Sequence, residues 1–272
     1  MSGARSSTTT PLVDRILTFN GWFWFAFLYL PILIVVVFSF SANPNVGVWG
    51  GFTLGWYERM FQNEQMMNAL RNSVWVALWS TVIATALGTA AALSLDRYRR
   101  WLSRGSFDGL LYLPIIIPDV TMAVMLLLWF TQISIGLGRE TIILSHIAFN
   151  ISFVAIVVRA RLAHMDPSIE EAASDLYAGR WRTFWKVTFP LILPGVLGGA
   201  LLALTLSLDD VVITSFVQGP GSTTLPVYVF GLIKRSVTPE INAVSTLMMT
   251  VSTLLVFASL GFQRRGERND QT

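Results

Sequence analysis

The chain alternates between long apolar runs and short polar connections. Six runs are each long enough to cross a hydrocarbon core of about 30 Å. They extend from Trp22 to Phe40, Ser73 to Leu95, Leu110 to Phe130, Thr141 to Val158, Leu191 to Phe216 and Ile241 to Phe262. None shows the period-two alternation, in segments of about ten residues, that marks a membrane β-barrel. In lipid the other way to satisfy every backbone N–H and C=O is a helix. The pattern predicts an all-α membrane protein with about six transmembrane helices.

The runs divide the chain into a tail (1–21), one transmembrane domain (22–262) and a second tail (263–272). The first apolar run is too long for the core of a cleaved signal peptide and no A-x-A site follows it, so it reads as a retained helix. Met1 to Thr10 is rich in Ser and Thr and reads as disordered. Two connections are long. One, from Ser41 to Asn72, holds Gly, Pro and Asn near its start. The other, from Arg159 to Pro190, is charged and reads as helical.

Composition agrees with a bilayer. Of 272 residues, 53% are hydrophobic and only 13% charged, against about 25% charged in soluble domains. The mean hydropathy is +0.59. The chain has no cysteine, which removes disulfides, thiolate catalysis and zinc-thiolate or iron–sulfur sites. No basic run interleaved with aromatics suggests nucleic acid. The net charge is only +3, but its distribution is informative. With both termini in the cytoplasm, five basic residues (Arg59, Arg71, Arg139, Lys234 and Arg235) lie outside and the rest of the 19 lie inside. This bias is the positive-inside rule. Trp22, Trp24, Trp101, Trp181 and Trp185 then fall near the inner face and Trp49, Trp56 and Trp129 near the outer one, as interfacial rings should.

The inner loop reads RLAHMDPSIEEAASDLYAGRWRTFWKVTFPLILPG from Arg161. Asp166 before Pro167 is a helix-start signal. Glu170 and Glu171 fall in the early turns, where acids suit the helix dipole. Ala172, Ala173, Leu176 and Tyr177 form a small or apolar face, and Gly179 is placed to break the helix. Trp181, Phe184 and Trp185 make a second interfacial segment. The reading is two short helices on the cytoplasmic surface joined at a turn. On the residues alone, a plain amphipathic interfacial loop fits equally.

This loop resembles the E-A-A-x3-G-x9-I-x-L-P loop of the membrane subunits of bacterial ABC importers. Glu171, Ala172, Ala173 and Pro190 match, and Val187 and Phe189 stand in the isoleucine and leucine slots. The glycine slot holds Tyr177, whose side chain resists a positive φ, and Gly179 is expected to supply the break instead. The stretches from Leu28 to Pro44, Gly51 to Ser73 and Leu204 to Leu247 resemble the second permease of spermidine/putrescine transporters. The resemblance implies the type I importer permease architecture in a bacterial inner membrane. It implies a coupling loop (161–190) that contacts an ATPase through Glu170, Glu171, Ala172, Ala173, Asp175, Tyr177 and Gly179. It also implies an ATPase dimer, a second related permease and an extracytoplasmic polyamine-binding protein as partners, beside membrane lipid.

ATP is needed but not bound here. A P-loop requires G-x-x-x-x-G-K-[ST], and neither Lys186 nor Lys234 fits it. The chain is expected to be a transport subunit rather than an enzyme. It would hold no cofactor of its own, ATP and Mg being bound by the partner ATPase. His146 and His164 lack neighbouring ligands at metal spacing. His146 reads as a polar packing residue hydrogen-bonded inside the bundle.

Acids within membrane spans point to a substrate path. Asp119 follows Pro114 and Pro118, where the helix ladder is broken. Asp209 and Asp210 sit late in the fifth run. A polyamine is a string of ammonium groups on methylenes, and it suits carboxylates flanked by rings that offer cation–π contact. Trp129 and Phe216 are the candidate rings. Asp119 reads equally as a cap in a broken helix, and Asp209 and Asp210 as a solvated helix end. Adjacent helical residues point about 100° apart, so at most one of that pair lines the path. The alternatives are an ABC permease for another small solute, such as an amino acid or quaternary amine, and an ion-coupled secondary transporter. The latter predicts inverted repeats and leaves the cytoplasmic loop unexplained. A membrane-embedded enzyme lacks a nucleophile or metal constellation.

Overall fold

The computed structural model describes residues 11–97, 104–166, 168–235 and 238–269. The tail from Met1 to Thr10, Arg99, Arg100, Trp101 and Pro167 lie outside these residues. The described chain is α1 (Pro11–Phe38), α2 (Gly55–Gln62), α3 (Glu64–Arg97), α4 (Arg104–Ile116), α5 (Asp119–Gln132), α6 (Arg139–Ala163) and α7 (Ser168–Asp175). Then come α8 (Arg180–Thr183), a π-helical turn (Phe184–Thr188), α9 (Phe189–Asp209), α10 (Val212–Val217), α11 (Leu225–Arg235) and α12 (Pro239–Asn269). Among the described residues only the pair Ser41 and Phe52 forms a β-bridge.

Four helical stretches are long and apolar enough to cross a membrane: Leu12–Phe38, Glu64–Arg97, Arg139–Ala163 and Arg180–Asp209. The pair α4 and α5 makes a fifth if its 106° bend lies within one span. The run from Ile241 to Phe262 lies within α12.

Two sequence expectations need correction. The run from Leu110 to Phe130 is two helices, because Pro118 lacks the N–H that would continue the ladder and forces the preceding residue out of helical geometry. The run from Leu191 to Phe216 is not one helix either. It stops at Asp209, and Asp210 is extended. The long connection from Ser41 to Asn72 has the Gly, Pro and Asn near its start before α2, and α2 and the first turns of α3 occupy its second half.

The chain falls into two units, one of residues 1–60 and 236–248, the other of residues 61–235 and 249–272. In the first, α1 presents large apolar side chains on every side, with Trp22, Phe23, Phe27, Leu30 and Leu33 all more than half exposed. A helix apolar all round belongs in lipid or against another chain. The segment after α1 is pinned through Ser41. Its Oγ donates to the Val48 carbonyl at 2.8 Å and its carbonyl accepts the Trp56 indole N–H at 2.7 Å.

The second unit is built on α3, α6 and α9. α3 and α9 each approach α6 closely because glycine replaces a side chain at the crossing. A Cβ on Gly88 of α3 would lie 2.8 Å from both the Ile151 carbonyl and Val154 Cβ on α6. A Cβ on Gly199 of α9 would lie 3.2 Å from Val154 Cγ1. Val154, fully buried, is thus gripped by both neighbours, the close packing by small residues that suits membrane helices. Arg159 on α6 donates to Asp108 on α4 at 2.7 Å, tying those two helices together. The apolar core continues through Met122, Ala123 and Phe130 of α5, Ile142 and Phe149 of α6, and Ile213 and Val217 of α10.

Candidate functional site

The loop from Arg161 to Pro190 holds the first short helix that its sequence predicts, α7, but not a separate second one, because the chain from Arg180 continues as helix into α9. The Asp166 carboxylate accepts the Ser168 N–H at 2.9 Å and opens α7. That hydrogen bond holds its carboxyl below the ordinary value of 3.8. Glu170 and Glu171, adjacent on α7, face different ways. One Glu170 oxygen is 2.8 Å from the Arg97 guanidinium at the end of α3 and also accepts the hydroxyl of Thr188 in the π turn. Glu171, Ala172, Asp175 and Gly179 are exposed, and Ala173 is half-buried.

The turn after α7 departs from expectation. Gly179 takes an ordinary extended conformation, with φ −63° and ψ 152°. Tyr177 itself adopts φ +58°. The Tyr177 N–H bonds the Ser174 carbonyl at 2.9 Å and the Ala178 N–H bonds the Ala173 carbonyl at 3.1 Å. These are the paired bonds of a Schellman motif, whose left-handed residue is usually glycine. The hydrogen bonds set the backbone, and the tyrosine accepts it with its side chain in the open, 98% exposed.

From Arg180 the helical path runs without a break to Asp209. Pro190 cannot donate to a carbonyl four residues back, and just before it the ladder widens: the Phe189 N–H reaches Phe184, five residues back. Such π turns are rare and cluster at functional places. Here the turn brings Thr188, fully buried, to Glu170.

At the other end of α9 lies a buried polar knot. Asp210 accepts the backbone N–H of Ile213 at 3.3 Å and of Thr214 at 2.7 Å, capping α10, and the Thr214 hydroxyl at 2.8 Å. His146 of α6, only 1% exposed, stands 3.3 Å from the same carboxylate and 3.0 Å from Thr214 Oγ1 through Nε2. Its Nδ1 meets Ser207 Oγ at 2.7 Å, and Ser207 meets Ser80 of α3 at 3.0 Å. Carboxylate, imidazole and three hydroxyls thus link α3, α6, α9 and α10. The serine is buried and already shared with Ser80, so the arrangement braces helices rather than arming a nucleophile.

The remaining predicted residues separate around this knot. The Asp210 carboxylate is turned into the protein, whereas Asp209 is exposed. Asp119 is exposed at the first position of α5, and the cap position is Pro118, which makes no side-chain bond. Trp129 is 54% exposed on α5 and packs obliquely on Phe130 rather than on Phe216, which is 36% exposed on α10. Sequence reasoning gave His146 its hydrogen-bonded interior place but missed its partner Asp210, and it grouped Glu170 with the outward-facing residues. The available signal was the pairing of an intramembrane histidine with an intramembrane acid, each costly alone.

Comparison with known proteins bears on this geometry. The profile of the family described as "Binding-protein-dependent transport system inner membrane component" matches residues 84–268. The chain is 40% identical over 229 residues to the putrescine transport system permease protein PotI of Escherichia coli strain K12, covering 82% of each. It is 40% identical over 211 residues to the spermidine/putrescine transport system permease protein PotC of Haemophilus influenzae, covering 78% of this chain and 82% of that one. Among solved structures, a bacterial ABC transporter involved in the import of the acidic polysaccharide alginate superposes with a TM-score of 0.73 at 19% identity, covering 93% of this chain and 96% of that chain. An amino acid ABC transporter superposes with a TM-score of 0.60 at 16% identity, covering 79% and 100%.

Proposed function

The chain belongs to the family of binding-protein-dependent transport system inner membrane components, and we propose that within it this chain is a permease through which putrescine or spermidine enters the cytoplasm. It is a multi-pass transport subunit of the inner membrane, and ATP hydrolysis belongs to a separate ATPase subunit. Its working partners are that ATPase, a second permease and a periplasmic binding protein. The observation that carries the polyamine reading is the 40% identity to a putrescine permease across 82% of both chains.

In this reading both termini are cytoplasmic, on the strength of the basic residues gathered in the inner segments, and α12 supplies the sixth span. The ATPase, binding its own ATP and Mg as two copies, docks on the surface of Glu171, Ala172, Ala173, Asp175, Tyr177 and Gly179. Small alanines admit a close approach, and the Glu171 carboxylate offers a charge-assisted hydrogen bond to a basic partner. ATP-driven closure of the ATPase moves this loop, and the helices exchange inward-open and outward-open states as packed bodies.

The substrate path is assigned to the exposed carboxylates Asp119 and Asp209, each at a place where an apolar run is interrupted. Asp210 supports Asp209 indirectly by fixing the break between α9 and α10. Trp129 and Phe216 supply ring faces to an ammonium. The test is uptake of radiolabelled putrescine and spermidine by proteoliposomes holding the assembled transporter and its binding protein. ATP-dependent uptake is expected, with the Michaelis constant rising about tenfold in Asp209→Asn. Uptake of neither polyamine by the unaltered complex rejects the substrate, and uptake without the ATPase rejects the transport class.

A further inference from the structure

The seven residues of the inner loop that sequence reasoning assigned to ATPase contact do not form one surface. Glu170 is turned inward. Its carboxylate meets Arg97, in the last turn of α3, at 2.8 Å, and it accepts the hydroxyl of Thr188. The triangle closes, because the same Arg97 nitrogen donates to Thr188 Oγ1 at 3.3 Å. Thr188 is fully buried, so its hydroxyl has no water to fall back on, and the three residues satisfy one another. Arg97 is far from the other two in the chain, 73 residues before Glu170, whereas Thr188 follows Glu170 by 18. Arg97 ends one long apolar helix, Thr188 closes the π turn that leads into α9, and Glu170 lies in α7 between them.

We infer that Arg97, Glu170 and Thr188 form a clasp that ties α7 to α3 and α9, and that Glu170 is a positioning residue for energy coupling rather than an ATPase contact. The inference rests on the reading of Glu171 to Ala173 as the ATPase-facing surface. Arg97 and Thr188 each bond the Glu170 carboxylate, so this one side chain of α7 is tied at once to the end of α3 and to the π turn that leads into α9. Without it, α7 keeps its packing on the π turn and its chain connection through the turn at Tyr177. With the clasp closed, movement imposed on α7 reaches two of the three helices that form the core of the bundle. The outward neighbour Glu171 holds the ATPase, and the inward Glu170 passes its motion on.

The test uses the complete transporter in proteoliposomes, comparing Glu170→Gln, Thr188→Val, the exchange Arg97→Glu with Glu170→Arg, and Glu171→Ala. Polyamine taken up per ATP hydrolysed is expected to fall about fivefold or more in Glu170→Gln and Thr188→Val, while the ATPase still co-purifies with the permease. The exchanged pair restores part of the ratio, and Glu171→Ala loses the ATPase. A second readout needs no substrate: hydrogen exchange of the complex with and without ATP and vanadate. In the parent, peptides ending α3 and spanning 184–190 change their exchange when nucleotide is trapped. In Thr188→Val that response is expected to vanish while the response of α7 persists. Loss of the ATPase from Glu170→Gln overturns the inference, and so does a parent-like response of α3 and the π turn in the clasp variants. If the parent takes up no polyamine, the substrate reading fails by itself and hydrogen exchange still decides the clasp.

Discussion

The two helix breaks that flank the rod from Arg180 to Asp209 solve one problem in opposite ways. Each leaves backbone carbonyls or N–H groups without helical partners. At the Tyr177 turn the surface is open, so the backbone closes its own bonds and a tyrosine tolerates a left-handed conformation with its ring free. At Asp210 the break is inside the bundle, where an unpaired polar group costs several kcal/mol. There the chain recruits His146 from a different helix, Ser207 from the turn before and Ser80 from a third helix. Conformational strain is acceptable where water is at hand. Buried breaks require partners fixed by distant sequence.

Removing the buried partner tests that contrast most severely. His146→Ala takes the imidazole from between Asp210 and Ser207 and leaves a buried cavity, with Asp210 keeping its bonds from Ile213 and Thr214 and Ser207 its bond to Ser80. It is expected to lower stability by about 3 kcal/mol, read from thermal or denaturant unfolding in detergent. A change within about 0.5 kcal/mol, the usual effect of an exposed substitution, would show that the knot braces nothing. Next comes packing at the same depth. Gly88→Ala places a Cβ against backbone and a rigid valine on α6, and the expected loss is about 2 kcal/mol by the same measurement. An unaffected protein would mean that α3 and α6 separate easily.

At the surface break the sign reverses. Tyr177→Gly relieves a left-handed tyrosine, worth roughly 1–2 kcal/mol, but loosens the unfolded chain by about half of that. A net gain of about 0.5–1 kcal/mol is expected. A loss would place the Tyr177 ring in a contact that the isolated chain does not contain. The smallest effect is at Asp166. Its folded pKa lies below 3.8, so its cap contributes fully above the unfolded value and fades as pH falls through the folded one. A carbon-13 titration of its carboxyl should show a midpoint below 3.8, moving upward when Ser168→Pro removes the donor. A midpoint that does not move would disconnect the cap from the pKa.

These differences also explain what the amino-acid order could reveal. α1, α3 and α6 were legible because a helix in lipid needs only a long apolar run. The coupling loop was legible because Asp166 and the alternation after it act within a few residues. The bend at Ile117 and Pro118 was announced by its prolines, though not its angle, which depends on what packs against α4 and α5. The break at Asp210 had no local mark. Neither glycine nor proline stands there, and the residue that holds it, His146, is on another helix. Tyr177 misled for a related reason: intrinsic preference favoured Gly179, but the hydrogen bonds to Ala173 and Ser174 fix which residue turns. Glu170 and Glu171 are indistinguishable as letters, and only Arg97 and Thr188 separate them.

The uninterrupted helical path from Arg180 to Asp209 has a mechanical consequence. Thirty residues at about 1.5 Å each make an arm of about 45 Å, with Arg180 at one extreme and the exposed Asp209 carboxylate at the other. An arm of that length acts as a lever. Tilting its base by about 10° sweeps the far tip through about 8 Å, more than the width of an extended aliphatic diamine. On the proposed substrate path, a modest rotation at the Arg180 end is enough to carry the Asp209 carboxylate from one side of such a solute to the other.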